Sequence, residues 1–230
     1  MLEMPLQSFL MIRAAKKAGW LDHVFVSTIQ KQEFLESRGV PSTFAPFGIS
    51  PSSGEDRHLE RDIDIVFLGE MKGERRAKLE RLQAELKERG IELRIVDRDC
   101  FGEKRTALLN RTKIVLHLHN FEWDTPWMRW MTATACGCVV VSEPLSQPKP
   151  FTPGVHYVEA PLGALRDTLV SLIFDDARRK EIAAACQGFV RENMTLDQSV
   201  ERIVAWAESM TGNGNNPSDS EKCPQLAGHC

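Results

Sequence analysis

The chain has no run of about 18 apolar residues, so it offers no membrane-spanning helix. Its N-terminus, MLEMPLQSFLMIRAAKKAGW, lacks the basic-then-apolar order and the small-residue cleavage site of a signal peptide. Basic charge is not in excess. The formal net charge is -3, which leaves no footprint for a nucleic-acid partner. The cluster Arg75-Arg76 with Lys78 lies among glutamates and reads as a solvated helix face. Six cysteines do not make a disulfide framework in 230 residues, and no His or Cys pair has zinc-ligand spacing. Small buried thiols in a reducing compartment are the simpler reading, and the expected location is cytoplasmic. No GxGxxG or Walker lysine motif occurs, which argues against an NAD-binding Rossmann enzyme and a P-loop NTPase. No serine sits in a nucleophile elbow, and no catalytic triad can be argued. No repeat of roughly 20–50 residues is visible.

What is present is an alternation of strand and helix signals in an ordinary globular composition, 42% hydrophobic and 27% charged. Helices are expected over 6–18 and 30–38, with short strands at 24–27 and 43–47. Residues 51–61, PSSGEDRHLER, are polar and aperiodic and read as a linker. Residues 63–68 are a buried strand ending in Gly69. The stretch 72–89 carries Leu79, Leu82 and Leu86 among charges, an amphipathic helix stopped by Gly90. A strand at 91–96 and a helix at 104–110 follow, then an apolar strand from Ile114 to Leu118. Another helix closes at Gly137, and a Val-rich strand follows it. A short strand is expected at 155–158 and helices over 162–174, 177–192 and 196–210. This pattern predicts an α/β fold with a doubly wound parallel sheet over 56–210. Residues 1–55 would be the remnant of an N-terminal lobe, and 211–230 a disordered tail.

In such a sheet, ligands collect where strands end and helices begin. Three such points stand out. The first is Gly69-Glu70-Met71-Lys72-Gly73, where glycine lets the backbone approach a ligand and a helix N-terminus favours phosphate. Lys72 adds positive charge, as does Arg75 or Arg76 one turn on. The second is the segment after Leu116. There His117 and His119 alternate onto one face, and Asn120, Asp124 and Thr125 fill the loop before Pro126. Trp123 is a candidate to stack on a base or sugar ring. Arg129 lies in the first helical turn, placed to grip a diphosphate through two oxygens. The third is Ser142-Glu143-Pro144, where Glu143 could accept sugar or ribose hydroxyls. A plain strand-to-helix turn, structural histidines and a surface acid are the competing readings of these three points.

The segment from Arg129 to Gly137, RWMTATACG, with Ser142-Glu143-Pro144 after the next strand, resembles the Arg-x-x-Glu-Ala-x-Ala-Cys-Gly segment of GT-B glycosyltransferases. The nearest type is the spore-maturation group. Phe67-Leu68-Gly69, Phe151-Thr152-Pro153-Gly154, the helix pair around Asp175-Asp176 and the closing Val200-Glu201-Arg202 extend the resemblance over about residues 20 to 208. It implies a donor-binding C-terminal domain for a nucleotide-diphosphate sugar, such as a UDP- or GDP-sugar, with no obligatory metal or other cofactor. Gly69 would line the phosphate loop, Arg129 would meet the diphosphate, and His117, His119, Asn120 and Asp124 would border the sugar. Arg129 and His117 are the candidate catalytic groups. The pattern is broken at Thr132, which stands where the family has a glutamate. Little of an acceptor-binding domain precedes residue 56, so a partner chain supplying it is expected. The reading is therefore a metal-independent hexosyltransferase, or the donor half of one. The alternative is a non-catalytic nucleotide- or partner-binding remnant.

Overall fold

A computed structural model describes residues 6–46, 48–119 and 127–212. Eight α-helices and seven strands run in the order α1 (Leu6–Lys17), β1 (Val24–Val26), α2 (Ile29–Glu36), β2 (Ser42–Phe44), β3 (Ile63–Leu68), α3 (Gly73–Lys87), β4 (Leu93–Val96), α4 (Gly102–Asn110), β5 (Thr112–His117), α5 (Trp127–Ala135), β6 (Val139–Ser142), β7 (Val158–Glu159), α6 (Leu165–Phe174), α7 (Asp176–Asn193) and α8 (Leu196–Gly212), as counted among the described residues, with a short 3-10 turn at Pro51–Ser53. β3 to β7 form one parallel sheet in the order β4-β3-β5-β6-β7, and β1 and β2 form a separate parallel pair. This is the doubly wound α/β architecture expected from the alternation.

The strands explain themselves by burial. Every residue of β6 is buried, and only Asp64 of β3 and Lys113 of β5 escape. Near-continuous apolar runs are what a parallel sheet covered on both faces requires. Val66, Val115 and Val140 point to one layer with Trp130, Met131, Cys186 and Val190 of α5 and α7. Ile65, Phe67, Ile114 and Leu116 point to the other, with Leu79, Leu82 and Leu86 of α3 and Leu169 of α6. α5 ends by the expected device: Gly137 has φ of 72°, its N–H reaches Thr134 O, and the Cys138 N–H reaches Ala133 O.

Three expectations are corrected. The strand placed at 155–158 is shifted, because Gly154 N–H bonds Tyr157 O at 2.7 Å and turns the chain there; pairing to β6 starts at Val158. Residues 51–61 are no loose linker. Arg61 Nη1 reaches Leu109 O and Thr112 O, its Nη2 reaches Cys136 O, and Arg57 N reaches Asn110 Oδ1 at 2.6 Å. Polar composition alone did not show that these groups strap the lower edge of the sheet. The helix expected to stop at 210 continues to Gly212, and the rest of the predicted tail lies outside the described residues. Among the described residues no helix is long and apolar enough to cross a membrane.

The end of the N-terminal segment is stitched to the last helix. Ile49 N–H bonds Met194 O, Leu196 N–H bonds Ile49 O, and Ser199 Oγ reaches Pro46 O. α8 then lies against β1, with Trp206 stacked 4.9 Å from His23 and edge-on to Phe25.

Candidate functional site

The chain leaves β3 toward β4 on one side and returns to β5 on the other. The C-terminal ends of β3 and β5 are thus the topological switch point, where an open α/β sheet forms its ligand crevice. Gly69 follows β3, and His117 closes β5.

Arg129, in the first turn of α5, lies across this point. Its Nη1 donates to His117 Nδ1 at 2.9 Å. Its guanidinium carbon is 5.3 Å from the centre of the Phe67 ring. A Cβ on Gly69 would collide with Arg129 Nη2, and Gly69 has φ of 145°. Glycine is needed there twice over, for the backbone angle and for the space the guanidinium fills. Arginine offers only donors, so His117 Nδ1 is the acceptor and the ring proton sits on Nε2. While that bond is kept, His117 has no lone pair at Nδ1 with which to take a substrate proton.

Arg75 brings a second guanidinium to the same place. It is 7% exposed, donates to Glu70 O, and lies 5.6 Å from the Phe67 ring centre. Of the adjacent pair, Arg75 is the one turned in. Arg76 is exposed and holds Met71 O and Glu80, and Lys72 is exposed in an ion pair with Glu70. The helical phase carried this signal: Arg75 stands four residues before Leu79 and seven before Leu82, on the buried face of α3.

Glu143, 7% exposed, is already engaged. Oε1 accepts from Lys78 Nζ at 3.0 Å and Oε2 from the His119 N–H at 2.8 Å. The carboxylate therefore braces the ends of β5 and β6 against α3. His119 Nε2 reaches Pro144 O at 3.0 Å, and its ring is edge-on to His117 at 5.1 Å. Thr132, 2% exposed, donates its hydroxyl back to Arg129 O at 3.0 Å. The structure thus brings Gly69, His117, His119, Arg129, Thr132 and Glu143 to one end of the sheet, while Lys72 and Arg76 point their charge elsewhere. Asn120, Asp124 and Thr125, with Trp123, lie outside the described residues.

A cavity of about 190 Å³ opens beside Arg129, toward β4. Gly69, Arg129 and Thr132 line it, together with Asp97 and Arg105 and the apolar Leu68 and Val96. Asp97 and Arg105 were not singled out by the sequence; the only signal for Asp97 is an acid directly after a strand, and a surface acid gives the same pattern. A larger cavity of about 570 Å³, lined by Arg61, Lys113 and Val139, lies at the opposite end, where β5 and β6 begin. It sits away from the strand ends where this fold binds ligands. Among the described residues no three His, Cys, Asp or Glu side chains converge to hold a metal ion. The thiols of Cys136 and Cys138 are buried, and desolvation pushes them up to about 11 and about 12, so neither is an activated nucleophile.

Comparison with known proteins agrees with the fold. No curated protein sequence matches the chain. Among solved structures, TarM superposes with a TM-score of 0.67 at 12% identity, over 86% of this chain and 45% of TarM. HepE of Anabaena, in complex with UDP-glucose, gives 0.65 at 12% identity, over 87% of this chain and 67% of HepE. A mutant of S. aureus TarM, in complex with Fondaparinux, alpha-GlcNAc-glycerol and UDP, gives 0.65 at 14% identity, over 86% and 45%. At these identities the likeness shows a shared fold, and the chain spans less than half the length of TarM. The model of the glycosyl transferase-like family matches residues 62–205, the whole of the five-stranded sheet and its covering helices. The chain therefore belongs to the glycosyl transferase-like family.

Proposed function

We propose that this chain is the donor-binding part of a glycosyltransferase, holding a nucleotide-diphosphate sugar at the switch point of its large sheet. The observation that carries this is the placement of Arg129, held by His117 Nδ1 at 2.9 Å and fitted against a glycine that leaves it room. A guanidinium fixed there can meet two diphosphate oxygens. Buried Arg75, 5.6 Å from the centre of the Phe67 ring, adds charge beside it, and the N-terminus of α3, without a side-chain cap, adds N–H groups. When the sugar C1–O bond breaks, negative charge grows on the departing diphosphate, and these donors are in place before it appears. No metal is needed for that stabilisation in this reading. His117 acts as a positioning residue for Arg129. The complexes of HepE with UDP-glucose and of TarM with UDP favour a UDP-sugar over a GDP-sugar.

We assign residues 1–55 to a lobe of its own, because β1 and β2 form a separate sheet with a separate core of Phe9, Val26, Phe34, Leu35 and Val40. The acceptor-binding part belongs to further chain, covalently continuous or in a partner. The stripe of Leu196, Val200, Ile203 and Val204, each at least 40% exposed along α8, gives it an apolar face to cover. A cytoplasmic location is favoured by four free thiols among the described residues.

Calorimetric titration with UDP, GDP and their glucose conjugates tests the donor site. Binding of one diphosphate, weakened about ten- to a hundredfold in Arg129→Ala, is the expected result. A folded protein that takes up none of them at millimolar concentration overturns it. The non-catalytic reading is favoured by one observation, that Thr132 offers a hydroxyl spent on Arg129 O instead of a carboxylate. Donor hydrolysis or transfer by the full assembly would decide against it.

A further inference from the structure

We propose that Asp97, at the end of β4, is the carboxylate that accepts the donor's ribose hydroxyls, and that the cavity beside Arg129 is the nucleoside subsite. This rests on the nucleotide-sugar reading above. A vicinal diol is best held by a group that accepts from both hydroxyls, which a carboxylate does and a threonine hydroxyl does not. Thr132 lines the cavity, but its hydroxyl hydrogen is committed to Arg129 O. Among the described residues lining the cavity, Asp97 is the one acid. Its Oδ1 accepts from the Met71 N–H at 3.3 Å, and Oδ2 has no hydrogen-bond partner among the described residues. A doubly wound sheet holds a ribose diol with the same placement, in which the glycine turn follows one strand and the acid ends the next.

A second observation points the same way. Arg105 Nε, in the same lining, is buried with no hydrogen-bond partner among the described residues, a donor left for an acceptor that a ligand could supply. Phe101 stands 74% exposed at the rim, before the first residue of α4, where its ring can cover a base. The volume, about 190 Å³, is below the roughly 300–1,000 Å³ of a site for a whole drug-sized ligand. It suits one end of the donor, with the diphosphate running out over Arg129 toward β5.

The test compares UDP and GDP with their dideoxyribose analogues on wild type and Asp97→Asn. The amide keeps an oxygen for the Met71 N–H and the size of the side chain, so the fold is preserved. The wild type is expected to lose roughly tenfold or more in affinity when the ribose hydroxyls are removed. Asp97→Asn is expected to bind the ribose form about as weakly as the dideoxy form, its ratio falling to near one. If Asp97 only holds the glycine loop, both ligands weaken together, the tenfold ratio survives, and this assignment is overturned while the donor site stands. If neither diphosphate binds wild type, both fail together.

Discussion

Gly69 and Arg129 form a fitted pair, and each explains the other. A side chain at 69 would have to adopt a backbone angle that L residues avoid, at a cost of about 1–3 kcal/mol. It would also displace the guanidinium from the crevice. Gly69→Ala is therefore expected to lower the thermal midpoint by several degrees. It should weaken diphosphate binding at least as much as Arg129→Lys does. Calorimetry and thermal scans of the two variants check this; an alanine variant that binds like wild type would contradict the fit. The sequence showed Gly69 and Arg129 as separate candidates 60 residues apart. Their contact follows from β3 and β5 lying side by side, which no local pattern records. Between Arg75 and Arg76 the sequence was readable in principle, since the phase of Leu79, Leu82 and Leu86 puts Arg75 on the buried face.

At the scale of elements, the ends of β5 and β6 are tied to α3 by one carboxylate. Glu143 is 10% exposed at its side chain and Lys78 is 26%, so their pair is better shielded than an ordinary surface bridge. Removing Lys78 alone leaves a nearly buried carboxylate held, among the described residues, only by the His119 N–H. Lys78→Met is expected to destabilise by about 1–3 kcal/mol, while Lys78→Met with Glu143→Gln loses less than the sum of the single changes. Urea denaturation of the three variants measures the coupling, and strict additivity would show that the pair contributes nothing. The strand-end acid was legible as a candidate for binding hydroxyls. Its actual partner lies 65 residues away, on a face of α3 that reads as solvated in sequence. Composition made the same kind of error at 51–61, where Arg57 and Arg61 look like linker charges, yet Arg61 satisfies carbonyls of α4, of β5 and of Cys136 just after α5, and the Arg57 N–H is held by Asn110.

Across the whole molecule, stability should fall as the solution is acidified below neutrality. His156 stacks on Phe189 with centroids 4.5 Å apart, and its Nδ1 accepts the Thr152 N–H at 3.1 Å. Burial lowers its pKa below the ordinary 6.5, and desolvation does the same for His23 against β1. A histidine with a lowered folded pKa is protonated first in the unfolded chain. Its stabilising contribution is complete above 6.5 and is lost as the pH drops from there through the folded value. The urea midpoint is expected to fall between about pH 7.5 and about pH 5.5, and His156→Phe should flatten that fall. An unchanged slope in the variant would move the effect elsewhere. The two sheets share this dependence, since His23 meets Trp206 of the last helix and Phe189 belongs to the helix before it.

What the sequence determined by itself was local and periodic. The apolar runs of β3, β5 and β6, the leucine spacing of α3 and the glycine that ends α5 specify a buried parallel sheet covered on both faces, because each depends on neighbours within a few residues. The end of the sheet where ligands collect follows from that class of fold. The tertiary structure alone decided which charges converge there. It turned Arg75 inward, gave His117 to Arg129, spent Glu143 on Lys78, and opened a cavity that joins Asp97 and Arg105 to Thr132. Those choices depend on strand order and helix rotation. These bring together side chains that lie tens of residues apart, and the burial of apolar faces fixes them.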